Sequence, residues 1–388
     1  FRNALARQTS GLNVGLLLSG GVDSRIVLAA ADKGKMSSWT TASYGANPEL
    51  ALARELAGMF ESEHHALIVE PKDTLQVLDQ TVMESSGLYP ASTPMSAFLP
   101  DVGTHCDSIL TGHGLDYTLR GYYLPARFAE IAGSRTRLPA LRSISSRPTG
   151  ADVLDNLRQG PPRSTIERIV QGGRRAAWWN GLAATMEEAL APWLNSNDPY
   201  NAWDGFILHS VSKHYAFTGM MAVRAVGDLR MPAFDNEVFD IYLRMPPSWR
   251  CSGRMTQLAL ERLSPAAFRM ANANTGFRAG LHPWLEVSAL MGRAALRRLR
   301  LLRRRAAPSA VQSTGSWQNV TALYREEPSY REHFLAIRER LDGLSFGVLD
   351  HDGMRACIDE HLDGKAKHTK LLRQLLTHDA WVRTFKID

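Results

Sequence analysis

The hydrophobic and polar positions begin with an apolar run, a short polar loop and an apolar helical face. Val14-Gly15-Leu16-Leu17-Leu18 carries no charge and reads as a buried strand. After Ser19-Gly20-Gly21-Val22-Asp23-Ser24, apolar residues return at Ile26, Val27, Ala29 and Ala30, a spacing that predicts a helix from about Ser24 packed on a sheet. Residues 37–44 combine β-branched and aromatic positions and predict a second strand. Residues 48–60 put Leu50, Leu52, Ala53, Leu56, Ala57 and Phe60 on one helical face, with Pro48 at its start. Residues 65–69 predict a third short strand. Strand, helix, strand, helix, strand is the opening of an α/β, doubly wound parallel sheet.

Residues 1–11 read as the end of a helix leading into the first strand. Residues 73–83 and 94–104 predict helices, and Ser108-Ile109-Leu110-Thr111 predicts the next core strand. Pro139, Pro148, Pro161, Pro162 and several glycines interrupt residues 132–197. That stretch reads as an irregular insertion, with Trp178 and Trp179 as buried core or as a substrate-lining pair. Residues 200–226 predict one or two helices delivering Asp228, residues 236–244 a further helix, and residues 350–388 a helical tail. The organisation expected is a domain over 1–292, with the insertion at about 132–197, and a basic segment and mainly helical C-terminal part over 293–388 packed on it.

Composition narrows the class. With 388 residues, 44% hydrophobic and 22% charged, the chain can bury a large core. The net charge of +6 permits anionic partners without requiring them. Cys106, Cys251 and Cys357 lie far apart, too few for a disulfide framework and without metal-ligand spacing, which suits a reducing cytoplasm. No apolar run reaches the ~18 residues of a membrane span, and no signal peptide is evident. The chain opens on Phe1, as a fragment of a longer protein would. Residues 293–305 hold seven arginines interleaved with leucines. They read as a solvated helix face or as a surface for an anionic partner. Neither zinc-type cysteine pairs nor RNA-binding aromatic motifs accompany them, so nucleic acid is not the expected partner.

The chemistry concentrates in two glycine-flanked loops. Gly20 and Gly21 let the backbone approach a ligand, and the helix that follows turns its free N–H groups and dipole toward an anion. Ser19 and Ser24 add hydroxyl donors. Asp23 would repel phosphate directly, so its expected role is to hold a hard cation such as Mg²⁺. The second loop, Gly112-His113-Gly114-Leu115-Asp116, follows the fourth strand, and topology predicts that it faces the first. Asp116 is then the partner of Asp23 across a metal-bound pyrophosphate.

Ser19–Ser24 is not a GxxxxGKS/T loop, since no Lys follows the second Gly. It resembles the SGGxDS loop of the N-type ATP pyrophosphatases. The resemblance widens to the synthetase domain of the glutamine-dependent asparagine synthetases. Ser43-Tyr44-Gly45, Asn47-Pro48-Glu49-Leu50, Ala53-Arg54 and Glu63-His64-His65 are similar to their strand–helix–strand. Ala91-Ser92-Thr93-Pro94-Met95 resembles their segment before the second loop. Thr111-Gly112-His113-Gly114-Leu115-Asp116 with Gly121-Tyr122 matches SGEGSDE…GGY, and Asp228-Leu229-Arg230-Met231-Pro232-Ala233-Phe234-Asp235 matches ExRxPFLD.

The resemblance implies an adenine nucleotide α-hydrolase-like fold of the ATP pyrophosphatase type and a ligase using ATP and Mg²⁺. Leu18, Tyr44, Thr111 and Gly112 would line the AMP part. Ser19, Gly20, Gly21, Asp23 and Ser24 would hold pyrophosphate, and Asp23 with Asp116 the metal. A small-molecule or peptide carboxylate would be adenylated and passed to ammonia or an amine. Departures qualify this. The family's N-terminal glutaminase Cys is missing, so ammonia would come from a separate glutaminase domain or subunit, or from solution. The family's acid in the second loop is His113, for which β-lactam synthetases have Tyr. No Lys occupies 272–277, and Arg278 is the candidate for that charge. A lasso-peptide or β-lactam-type cyclase, and a non-catalytic nucleotide-binding partner protein, are the alternatives. His113 and Asp228 are expected to act as a base dyad when the amine attacks.

Overall fold

The computed structural model describes residues 1–42, 47–90, 95–121, 123–131, 134–156, 160–196, 198–212, 217–303 and 319–387. Its strands are β1 (Val14–Leu17), β2 (Ser37–Ala42), β3 (His64–Ile68), β4 (Ser108–Leu110), β5 (Ala126–Ile131), β6 (Ser134–Leu141) and β7 (Asp228–Arg230). Five of them form a parallel sheet in the order β3-β2-β1-β4-β7. Leu16 lies opposite Ser38 on one side and Leu110 on the other. The chain therefore winds outward from β1 in both directions, and the loops leaving β1 and β4 emerge side by side. In open α/β sheets this switch point is where ligands bind.

Both faces of the central strands are covered, which is why β1 and β4 read as nearly continuous apolar runs. Val14, Leu16, Leu18 and Leu110 share one core with helices Val22–Ala30, Pro48–Met59 and Arg254–Leu263. Trp39, Ile109 and the partly buried Leu17 face the other way, onto Met95–Gly103 and Met221–Val226. Gly15 is required by this packing, since a Cβ there would stand 2.5 Å from Cys106 Sγ.

Several expectations shift in detail. The first-loop helix starts at Val22, and β3 at His64. Residues 73–83 fall in two helices, Pro71–Gln76 and Leu78–Ser85, which break at Val77. Helix Asn236–Arg244 has the expected bounds, with the Asp235 carboxylate accepting from Glu237 N–H.

The stretch expected to be irregular is more ordered than its prolines suggest. It contains β6, the second strand of the antiparallel β5–β6 hairpin, and a 16-residue helix, Arg175–Leu190. Pro139 is tolerated because a two-stranded hairpin consists of edge strands. Trp178 is 40% exposed, so it is not core, and Trp179 lies under the Arg163 guanidinium. Helices Pro328–Glu339, His351–Leu362 and Thr369–Phe385 form a further core that also takes in Leu78, Val82, Ile169 and Val170. Among the described residues, no helix is long and apolar enough to cross a membrane.

Candidate functional site

The first loop is held open by its own serines. Ser24 Oγ accepts from Ser19 N–H at 3.0 Å and lies 3.0 Å from Ser19 Oγ, which in turn accepts from Gly21 N–H at 3.3 Å. Gly20 N–H donates to Glu49 Oε1 at 3.3 Å. Helix Val22–Ala30 follows, with Gly21 as an N-cap that contributes no side-chain bond. Its first-turn N–H groups have no partner within the helix and face the loop. A cavity of about 160 Å³ opens beside it, lined by Leu18, Ser19, Trp39, Thr41 and Glu49 among others.

The second loop is pressed against the first. A Cβ on Gly112 would lie 2.6 Å from Ser24 N and 2.7 Å from the Asp23 carbonyl carbon. Gly114, at φ +95°, turns the chain under the ring of Phe234, supplied by the segment after β7. The Asp116 carboxylate accepts from Tyr117 N–H at 3.1 Å. Asp23 Oδ2 pairs with Arg120 Nη1 at 3.3 Å, while Asp23 Oδ1 is buried without a partner.

Burial raises the Asp23 carboxyl to about 6, against the pull of Arg120, and the Asp116 charge pushes it the same way as burial. Burial also raises Asp116, again opposed by Arg120. His113 is held down to about 4 by burial, with Asp23 pulling it up. Its N–H backbone group donates to Thr111 Oγ1, its ring meets Tyr117 and Phe217 edge-on, and its Nε2 is buried without a partner.

A third segment completes the pocket. Ala273 N–H donates to Gly20 O at 3.0 Å, and a Cβ on Gly20 would meet that of Ala273. Arg25, fully buried, ties the two together. Its guanidinium donates to Gly20 O, Ala267 O and Ala271 O at 2.6–3.0 Å. Burial lowers it only to about 10, so it stays charged. Arg293 stacks on Phe277 at 3.7 Å and donates to Thr275 O.

Ser19, Gly20, Gly21, Asp23, Ser24, Thr111, Gly112, His113 and Asp116 thus come together around the two loops, with Leu18 at the cavity. Tyr44 lies outside the described residues. Asp228 is not brought to His113. It is in register with Ser108 at the start of β4, whereas His113 follows that strand's end. Its carboxylate is 55% exposed and pairs with Arg230. Arg278 is exposed, its backbone paired with Ala271, and Arg120 holds Asp23 instead. Sequence reasoning did not single out Arg25, Glu49 or Arg120. Only for Arg120 was there a signal, a charge at the first position of a GGY-like motif.

The residues fit a magnesium nucleotide. Mg²⁺ is bound through one or two carboxylates plus substrate phosphates. Asp23 and Asp116 supply oxygen ligands only, and the orphaned Asp23 Oδ1 is an acceptor without a donor.

A family model described as asparagine synthase matches residues 1–383. Three curated proteins, from Mycobacterium bovis and two strains of Mycobacterium tuberculosis, each bear the name "Putative asparagine synthetase (glutamine-hydrolyzing)". Each is 24% identical over 321 residues, covering 72% of this chain and 47% of the relative. The chain spans about half the length of the curated relatives it matches.

Proposed function

Since the chain belongs to the asparagine synthase family, we propose that it is an ATP-dependent amide-forming synthetase. It adenylates a carboxylate, aspartate or a related acid, releases pyrophosphate and passes the acyl group to ammonia or an amine. The observation that carries this reading is the contact of Gly112 with the Asp23–Ser24 backbone, which joins a phosphate-type loop to a second acidic loop. Leu18, Thr111, Gly112 and Tyr44 are assigned to AMP. Ser19, Gly20, Gly21 and Ser24 are assigned to pyrophosphate, for which they offer N–H and hydroxyl donors. Asp23 and Asp116 are the residues to hold Mg²⁺, which neutralises charge on the leaving group. His113, neutral through burial, is assigned to receive the proton lost as the C–N bond forms.

Nitrogen from glutamine is not assigned to this chain. Its three cysteines are buried, and burial raises the thiols of Cys251 and Cys357, the opposite of an activated nucleophile. The proposed source is free ammonium, a substrate amine, or ammonia from a glutaminase domain or subunit outside residues 1–388. A cyclase, with acid and amine in one molecule, is the second reading. The aromatic surroundings of His113, where the family has an acid, favour testing it.

The test is exchange of labelled pyrophosphate into ATP, driven by a panel of amino-acid and peptide carboxylates with ammonium or glutamine as nitrogen donor. Wild type exchanges with at least one acid and releases no glutamate. Asp23→Ala abolishes exchange, because the metal that offsets charge on the leaving group would lose one of its two proposed carboxylates. Full exchange in Asp23→Ala would remove the metal assignment. A wild type that binds ATP yet exchanges with no acid would favour a non-catalytic binding protein.

A further inference from the structure

The two loops carry a guanidinium where the matching motif has glycine. Arg120 stands directly before Gly121-Tyr122, at the first position of the GGY-like element. It follows the short helix Leu115–Thr118 that also holds Asp116. Its Nη1 donates to Asp23 Oδ2 at 3.3 Å. On the opposite wall the cations are engaged with the backbone: Arg25 donates to Gly20 O and Ala271 O, and Arg293 to Thr275 O. Residues 272–277 are Asn, Ala, Asn, Thr, Gly and Phe, and Arg278 beyond them is exposed. Arg120, by contrast, is partly exposed and bonded to a carboxylate of the first loop.

Charge balance gives Arg120 a reason to be there. Two ionised carboxylates offset one Mg²⁺, which leaves the phosphate oxygens to the loop N–H groups, the serines and any further cation. A guanidinium suits that place, because its planar fork matches phosphate oxygens two at a time. The Arg120 side chain is 39% exposed, so it is not locked by packing.

We propose that Arg120 is the pyrophosphate-binding cation of this chain, screening Asp23 in the ligand-free site and moving onto the β- and γ-phosphoryl oxygens when Asp23 engages the metal. This rests on the nucleotide reading above. The competing role, a cation that only neutralises Asp23, makes the opposite forecast, because its removal would free Asp23 for the metal and tighten binding.

Calorimetric titration of the full chain separates the two, using magnesium pyrophosphate and AMP as separate ligands. Arg120→Gln is expected to weaken pyrophosphate binding by about tenfold or more, as loss of a charge-assisted bond does. AMP affinity and the thermal midpoint should stay near wild type. Arg120→Lys, which keeps the charge without the fork, should fall between. Pyrophosphate binding by Arg120→Gln that is unchanged or tighter would overturn the assignment, as would equal weakening of both ligands. A wild type that binds neither ligand would overturn the nucleotide reading itself and this assignment with it.

Discussion

His113, proposed as the base, has no orienting acid beside it. Burial keeps its ring neutral, and its Nε2 is unpartnered, but the carboxylate expected to steer it sits at the other end of β4 and is paired with Arg230. Its orientation comes from Tyr117 and Phe217. His113→Ala should therefore keep most pyrophosphate exchange while amide formation falls by roughly 10²–10⁴-fold, the usual worth of a general base. Equal loss in both half-reactions would reassign it to the nucleotide. Arg25 shows a different use of charge. A residue that reads as one more polar position on helix Val22–Ala30 is the buried tie between Gly20 and residues 267–271.

At the scale of elements, the site depends on how closely two loops approach. The atoms facing Gly112 are backbone atoms of Asp23 and Ser24, which cannot rotate away as a flexible side chain would. Gly112→Ala is expected to separate the loops, at about 1–3 kcal/mol for overpacking, and to weaken ATP binding by more than tenfold. Gly181→Ala is the control, since Gly181 has open space around it and lies within helix Arg175–Leu190. It should leave ATP affinity untouched and slightly raise stability through helix propensity. Calorimetry with the two variants checks the pair. Matching affinities would show that the approach at Gly112 is not critical.

At the scale of the whole molecule, the tail core is expected to lose stability in acid. His361 is fully buried, its Nδ1 accepts from His368 N–H, and burial lowers it to about 4. Its folded value lies below the unfolded one near 6.5, so its contribution is complete above that pH and is lost as pH falls toward 4. Glu360, bonded to Arg168 and His368, is lowered to about 2, and its contribution is lost further down, from about 4.5 to 2. Asp23, raised to about 6, acts in the opposite sense over part of the first window. The decisive quantity is thus a difference. Urea unfolding at pH 7.5, 6 and 5 should show a shallower pH dependence for His361→Gln than for wild type. Parallel curves would mean that His361 is not the group titrating.

The α/β class, the alternation of strand and helix that opens the sheet, and the two loops were legible in sequence, because each is written in contiguous residues. Apolar runs covered on both sides make strands of Val14–Leu17 and Ser108–Leu110, and glycines beside Asp23 and Asp116 mark the two loops proposed to bind the nucleotide. Even there, only packing shows why Gly15 and Gly112 must lack a side chain. The separation of Asp228 from His113 was not legible, since it depends on β4–β7 register, and the three-residue β7 is too short to carry a period. Nor was the order within residues 132–197, where prolines are compatible with a hairpin made of edge strands. The ties of Arg25 to Ala267, and of Arg120 to Asp23, join positions 242 and 97 residues apart. Local sequence determines which residues have polar groups to satisfy. Only the folded chain decides which acceptor, far away along the backbone, comes close enough to satisfy them.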